Sequence, residues 1–255
     1  MGNNNNIAIK LENVNKTFHI RENEHQTIRE RAFSFFKKNT KREIKALQNI
    51  NIEIKKGEFF GIIGRNRSGK STLIHLMTGA YKPDKGGKVF INGKYIRLSL
   101  GMGFNQELTA RQNIYINCSV LGIPIKIIDK QLKTIIQFSE LQDYIDTKIK
   151  FFSKGMIARL SFAIAIHAQA DIFLMDEYFG GVGDEGFRRK ADRVFKKTFL
   201  TGRTIVHVSH SLETVSKYCD RVLLLNKGEI LALGTPEEVI PIYKELFKPQ
   251  KKDKP

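Results

Sequence analysis

At 255 residues and 41% hydrophobic content the chain has apolar material for a sizeable core, so disorder is excluded as its default state. The formal net charge of +17 asks for an acidic partner and leaves nucleotide, nucleic acid and anionic lipid head groups in play. Cys118 and Cys219 stand far apart and outside Cys-x-x-Cys spacing, which excludes a zinc finger or dithiol centre and fits a reducing cytosol, and no apolar run reaches the ~18 residues of a bilayer span.

Ile7, Ile9 and Leu11 alternate with Ala8, Lys10 and Glu12, the period of a half-buried strand. A basic insert of about residues 19–45 follows, with Arg29, Arg31, Lys37, Lys38, Lys41, Arg42 and Lys45. Inside it Ile28, Ala32, Phe35 and Phe36 keep helical spacing opposite the cations, which predicts an amphipathic helix lying against an apolar surface, either its own domain or a membrane component. Ile50, Ile52 and Ile54 predict a second alternating strand, and Phe59-Phe60-Gly61-Ile62-Ile63 a central strand that delivers Gly64 to a loop before a helix at 70–77.

Val89-Phe90-Ile91 and Tyr95-Ile96 flank Asn92-Gly93, a pair that accepts positive φ and predicts a tight antiparallel hairpin. From about residue 104 to 166 the spacing turns helical, which predicts a helical insert in an α/β core. Strands return at Ile172-Phe173-Leu174-Met175 and Ile205-Val206-His207-Val208, then as a hairpin across Lys227-Gly228. A helix and a solvated basic tail at about 247–255, with Lys248, Lys251, Lys252 and Lys254, close the chain.

Gly64-Arg65-Asn66-Arg67-Ser68-Gly69-Lys70-Ser71, followed by Thr72, matches G-x-x-x-x-G-K-[ST] directly after an apolar strand and before a helix. Backbone N–H groups there can cradle phosphate oxygens, Lys70 can neutralise the β and γ charges, and the Ser71 hydroxyl can ligate Mg²⁺. About a hundred residues on, a strand delivers Asp176 and Glu177 to its C-terminal end, where parallel sheets place ligands. Asp176 is suited to hold Mg²⁺, Glu177 to polarise an attacking water, and His210 to contact the γ-phosphate. Each alone also reads as an ordinary turn or strand-end residue; the phosphate loop in the same chain gives them a function.

With these motifs in this order the chain resembles the ATP-binding subunits of ABC transporters over nearly its whole length. The resemblance implies a P-loop α/β core with an N-terminal antiparallel β-subdomain and an inserted helical subdomain, all within one nucleotide-binding domain spanning 1–255. It implies ATP and Mg²⁺ as ligands, Phe18 as the aromatic stacked on adenine, and Asp184 as the D-loop residue. Ser153-Lys154-Gly155-Met156 resembles the signature motif, reduced from the usual LSGGQ, with Ser153 placed to cap a helix whose N–H groups offer an anion site. In this family that anion is the γ-phosphate held by a second subunit, which implies a homodimer across two ATP molecules. The Ser-x-Gly-Met form, together with Glu107-Leu108-Thr109 and Arg111-Gln112-Asn113-Ile114, is similar to the polysaccharide-export branch that serves capsule, O-antigen and teichoic acid.

Two positions depart from the family pattern. Arg67 stands where ABC loops usually carry Gly, a residue that serves a backbone angle or a close approach. The glutamine that joins Mg²⁺ coordination to permease contact falls on Asn105 by register and on Gln106 by side chain, so both are candidates. The expected function is therefore an ATPase on the cytoplasmic face of the plasma membrane, peripheral, driving glycan export through a separate integral membrane permease, with the basic insert either packed on its own domain or docked near that permease. The alternative is a soluble ABC-type ATPase acting on nucleic acid or ribosomes, which the charge favours but the presence of one ATP-binding half in the chain does not. A P-loop kinase leaves residues 153–156 and His210 unexplained.

Overall fold

The computed structural model describes residues 6–21, 41–99, 103–176 and 184–247. The first two strands, β1 (Ile7–Arg21) and β2 (Lys41–Lys55), form a long antiparallel ladder, and β4 (Lys88–Ile91) lines the other edge of β1. Ile9, Leu11, Val14, Ile50, Ile52 and Ile54 bury one face of this three-stranded sheet. The ladder bends at Asn13 and Asn49, which sit at φ 49° and 47°, a region that asparagine tolerates. Neighbouring side chains satisfy the displaced backbone: Asn13 N–H donates to Asn51 Oδ1 and Asn49 N–H to Asn15 Oδ1, both at 2.8 Å.

The second sheet runs β5 (Tyr95–Ser99), β6 (Ile172–Asp176), β7 (Thr204–Val208), β3 (Phe59–Ile63), β8 (Arg221–Asn226) and β9 (Glu229–Gly234), parallel except for β9. β3 and β7 are buried along their whole length, which is why they read as continuous apolar runs rather than alternating ones. One face packs on the first sheet and on α1 (Lys70–Met77) through Phe60, Ile62, Leu73, Ile74, Leu174 and Val206. The helical region supplies α2 (Ala110–Val120), α3 (Ile125–Ser139) and α4 (Lys154–Ala165), with short 3-10 turns at Gln142–Tyr144 and Ile149–Phe151. Then come α5 (Glu185–Phe199), α6 (Leu212–Tyr218) and α7 (Pro236–Leu246).

α4 joins two cores. Phe162 and Ala165 pack on the sheet with Phe173, Phe187 and Phe195, while Leu160, Ala163 and Ile164 pack with Ile114, Cys118 and Ile128 of the helical region. The expected α/β core with an antiparallel N-terminal sheet and a helical insert is thus present.

Two expectations need correction. Asn92-Gly93 does not close a hairpin: β4 belongs to the first sheet and β5 to the second, where Tyr95 pairs with Ile172 in parallel. Asn92 N–H instead donates to Ala8 O at 2.8 Å, and Lys94 N–H donates to Asp171 Oδ2 at 2.7 Å. Gly93, at φ 136°, passes so close to Asp171 that a Cβ would lie 3.0 Å from its side chain. The basic insert is also shorter than 19–45, because the β1/β2 ladder continues through His19↔Glu43 to Arg21↔Lys41. The amphipathic helix expected inside the insert, with Ile28, Ala32, Phe35 and Phe36, and the lysines of the tail lie outside the described residues.

Candidate nucleotide site

The loop from Gly64 to α1 is shaped by two glycines. Gly64 has φ 151°, and a Cβ on it would collide with the Leu225 carbonyl oxygen and lie 2.6 Å from Ser68 Oγ. Gly69 has φ 110°, and a Cβ there would lie 2.7 Å from Ala46 O and 2.8 Å from a Leu47 methyl. The turn between β8 and β9 closes the loop from behind: Gly228 N–H donates to Ser68 O at 2.9 Å, and Gln48 N–H donates to Gly228 O at 2.8 Å.

Lys70 begins α1 and is buried, its ammonium donating to the carbonyls of Gly64 at 2.7 Å and Arg65 at 2.9 Å. Gly69 is the N-cap of α1 and has no side chain to cap it, and among the described residues no side-chain cap bond closes the helix start, which leaves first-turn N–H groups suited to an external acceptor. A buried cation, uncapped amides and a wall that admits no Cβ together fit a polyphosphate. Arg65, Asn66, Arg67 and Ser71 are exposed, and Thr72 is half-buried. Arg67 adopts φ 66°, so the angle that glycine would serve in this loop is present and is occupied by a side chain. An L residue there carries a strain of about 1 kcal/mol.

The strand ends of the parallel sheet arrange the other groups. Ile62 of β3, Val208 of β7 and Asp176 of β6 lie side by side in register, which puts the Asp176 backbone about 10 Å from that of Ile62 by two strand spacings. Gly64 and His210 each follow their row residue by two positions. Ser209 N–H donates to Ile62 O at 3.2 Å, and its hydroxyl accepts from Ser211 N–H at 3.0 Å, a turn that leaves His210 exposed. His207, beneath it on β7, is buried, and burial pushes its pKa down to about 4. Glu177 lies outside the described residues.

Phe18 is half-buried on β1, its ring edge-on to Tyr81 at 5.4 Å with the Lys16 ammonium 5.5 Å from its centroid. Tyr81 stacks on His75 of α1 at 4.9 Å, which places this aromatic group about 8 Å further along α1 than Lys70. Asn105 and Gln106 are both exposed, and neither hydrogen-bonds to the phosphate loop among the described residues. The Asn105 carbonyl oxygen of the side chain accepts from Glu107 N–H at 2.9 Å and so is committed to its own turn; among the described residues Gln106 bonds only through its backbone, to Lys150 N–H at 3.1 Å.

Ser153 caps α4 as expected, its Oγ accepting from Met156 N–H at 3.2 Å, and Ser153 and Lys154 are exposed. Residues 153–156 form no bond to the phosphate loop of their own chain among the described residues. Asp184 caps α5 by accepting from Phe187 N–H at 2.9 Å. That N–H, and after it the Arg159 guanidinium, hold the Asp184 carboxyl below the usual carboxylate range.

Arg159 was not singled out by sequence reasoning. It bonds Asp184 Oδ2, donates to Glu140 Oε2 at 3.0 Å and lies over the Phe187 ring at 4.9 Å, so it ties the capped start of α4 to that of α5. The available signal was a lone cation in the otherwise apolar stretch from Met156 to Leu160.

Residues 47–180 match the family described as "ABC transporter". The chain is 37% identical over 244 residues to the ABC transporter protein AbcA of Aeromonas salmonicida, covering 94% of this chain and 77% of that one. It is 38% identical to the O-antigen export system ATP-binding protein RfbB of Klebsiella pneumoniae, covering 84% and 86%. It is also 38% identical to the teichoic acids export ATP-binding protein TagH of Lactococcus lactis, of whose length it spans 52%. Among solved structures, the ATP-binding cassette MJ0796, a dimer in a post-hydrolysis state with ADP and Pi, superposes with a TM-score of 0.69 at 23% identity, covering 89% of this chain and 98% of that one.

Proposed function

The chain belongs to the ABC transporter family of ATPases, and on that premise we propose that it is the ATP-hydrolysing subunit of a polysaccharide or lipid-linked glycan exporter. Its similarity, over most of its length, to proteins named as O-antigen and teichoic acids export ATP-binding proteins supports the cargo class. No helix among the described residues is long and apolar enough to cross a membrane, so in this reading a separate permease provides the path and the chain sits on its cytoplasmic side.

In this reading residues 1–255 act as one nucleotide-binding domain. The loop from Gly64 to Thr72 binds the triphosphate, with Lys70 released from the Gly64 and Arg65 carbonyls onto phosphate oxygens. Phe18 faces the base, Asp176 and Ser71 with either Asn105 or Gln106 hold Mg²⁺, and Glu177 orients the attacking water while His210 donates to the γ-phosphate. Oxygen donors beside a polyphosphate suit that ion, which when bound neutralises charge on the β- and γ-phosphates. Ser153, Lys154, Gly155 and Met156 act on the nucleotide of a second copy, with Asp184 carried beside them by Arg159.

The observation that carries the composite site is that the start of α4 is exposed and Ser153-capped, with no bond to its own phosphate loop among the described residues. Differential binding to open and closed dimers then moves the permease. Purification from its native membrane tests the exporter reading: a multi-spanning membrane protein should accompany the chain, while salt-sensitive retention of RNA or DNA without one would contradict it.

A further inference from the structure

The phosphate loop has a contact that its motif does not explain. The Arg65 guanidinium lies 5.5 Å from the centroid of the Phe247 ring, at the end of α7. Phe247 is itself fixed: its N–H donates to Tyr243 O at 3.2 Å, its ring meets Tyr243 edge-on at 4.9 Å, and it packs on the core beside the sheet. Arg65 is also the residue whose carbonyl accepts from Lys70 at 2.9 Å and from Ser68 N–H at 3.2 Å. One residue therefore joins the end of the C-terminal helix to the backbone that holds the phosphate-binding lysine.

We propose that Phe247 is a positioning residue for ATP binding, acting through Arg65 to hold the phosphate loop in its binding shape. The inference rests on the loop being the ATP site. An exposed arginine is a weakly restrained support, and the ring's negative face removes part of its freedom before the nucleotide arrives. Ordering that is already present in the free protein is not charged against affinity.

The test is titration of the full chain with ATP and Mg²⁺ alongside thermal unfolding. Phe247→Leu keeps an apolar side chain on the core and removes the ring face, so it should weaken ATP binding about two- to five-fold, the range of an exposed cation–π contact. The melting temperature should stay near that of the parent, and Phe247→Tyr should restore the affinity. Phe247→Trp should restore it as well, and because the chain has no tryptophan its emission should change when ATP binds. Arg65→Gln should weaken binding to a similar degree, and adding Phe247→Leu to it should cost nothing more. Unchanged affinity in Phe247→Leu, full additivity with Arg65→Gln, or failure of both aromatic replacements would overturn the inference. A parent chain that itself fails to bind ATP would instead refute the reading of the site.

Discussion

Replacing Arg67 with glycine separates the backbone of the phosphate loop from its side chain. At φ 66° a non-glycine residue carries about 1 kcal/mol of strain, which glycine removes. Glycine also gives the unfolded chain extra freedom worth about 0.5–1 kcal/mol, so the two effects nearly cancel in folding stability. For a chain of this size the melting temperature should then move by less than about 2 °C. If the bound loop keeps the same angle, strain is common to free and bound states, and ATP affinity changes only by the loss of an exposed, screened cation. That is a change of at most about five-fold. Arg67→Val makes the opposite control, since a β-branched residue resists this region and should destabilise by more than about 1 kcal/mol. Scanning calorimetry and ATP titration on parent, Gly and Val variants decide the matter. A loss of affinity beyond tenfold in Arg67→Gly, with stability unchanged, would show that the guanidinium touches phosphate and would refute the backbone account.

Lys70→Met should abolish measurable ATP binding in the same titration, because the buried ammonium is replaced by an apolar group beside the Gly64 and Arg65 carbonyls. Arg159→Leu should cost about 1 kcal/mol in stability, since its two acidic partners are largely exposed, and should lower ATPase turnover more than ATP binding by the single chain. The depressed Asp184 carboxyl stabilises the fold above its unfolded pKa near 4, and that contribution is lost as pH falls through the lower folded value. Asp184→Asn should therefore flatten the acid limb of a stability-against-pH curve measured by urea unfolding.

The local structure of the candidate site was legible because a single turn of chain carries each piece: the loop before the helix at Lys70, the Ser153 cap and the strand end at Asp176 each declare themselves locally. β3 and β7 were legible for the same reason, their two buried faces leaving unbroken apolar runs. Asn92-Gly93 misled because positive φ serves a hairpin and a change of sheet equally, and the residue that decides between them, Asp171, lies 77 positions beyond Lys94. The outer halves of β1 and β2 were hidden because residues 19–21 and 41–43 pair away from the core that gives alternation its meaning, with His19 Nδ1 and Glu43 Oε1 meeting at the surface at 3.4 Å. Arg159 and Phe247 escaped notice because their partners are distant in sequence, Asp184 by 25 residues and Arg65 at the other end of the domain.

In the proposed function hydrolysis belongs to a pair of chains, with the loop at Gly64 of one facing the α4 start of the other. Sedimentation of Glu177→Gln with ATP and Mg²⁺ tests it most directly, since slowed hydrolysis should trap the pair. The expected result is a nucleotide-dependent dimer that reverts to monomer when ATP is removed. A species that remains monomeric at high protein concentration, with ATP bound, would contradict it.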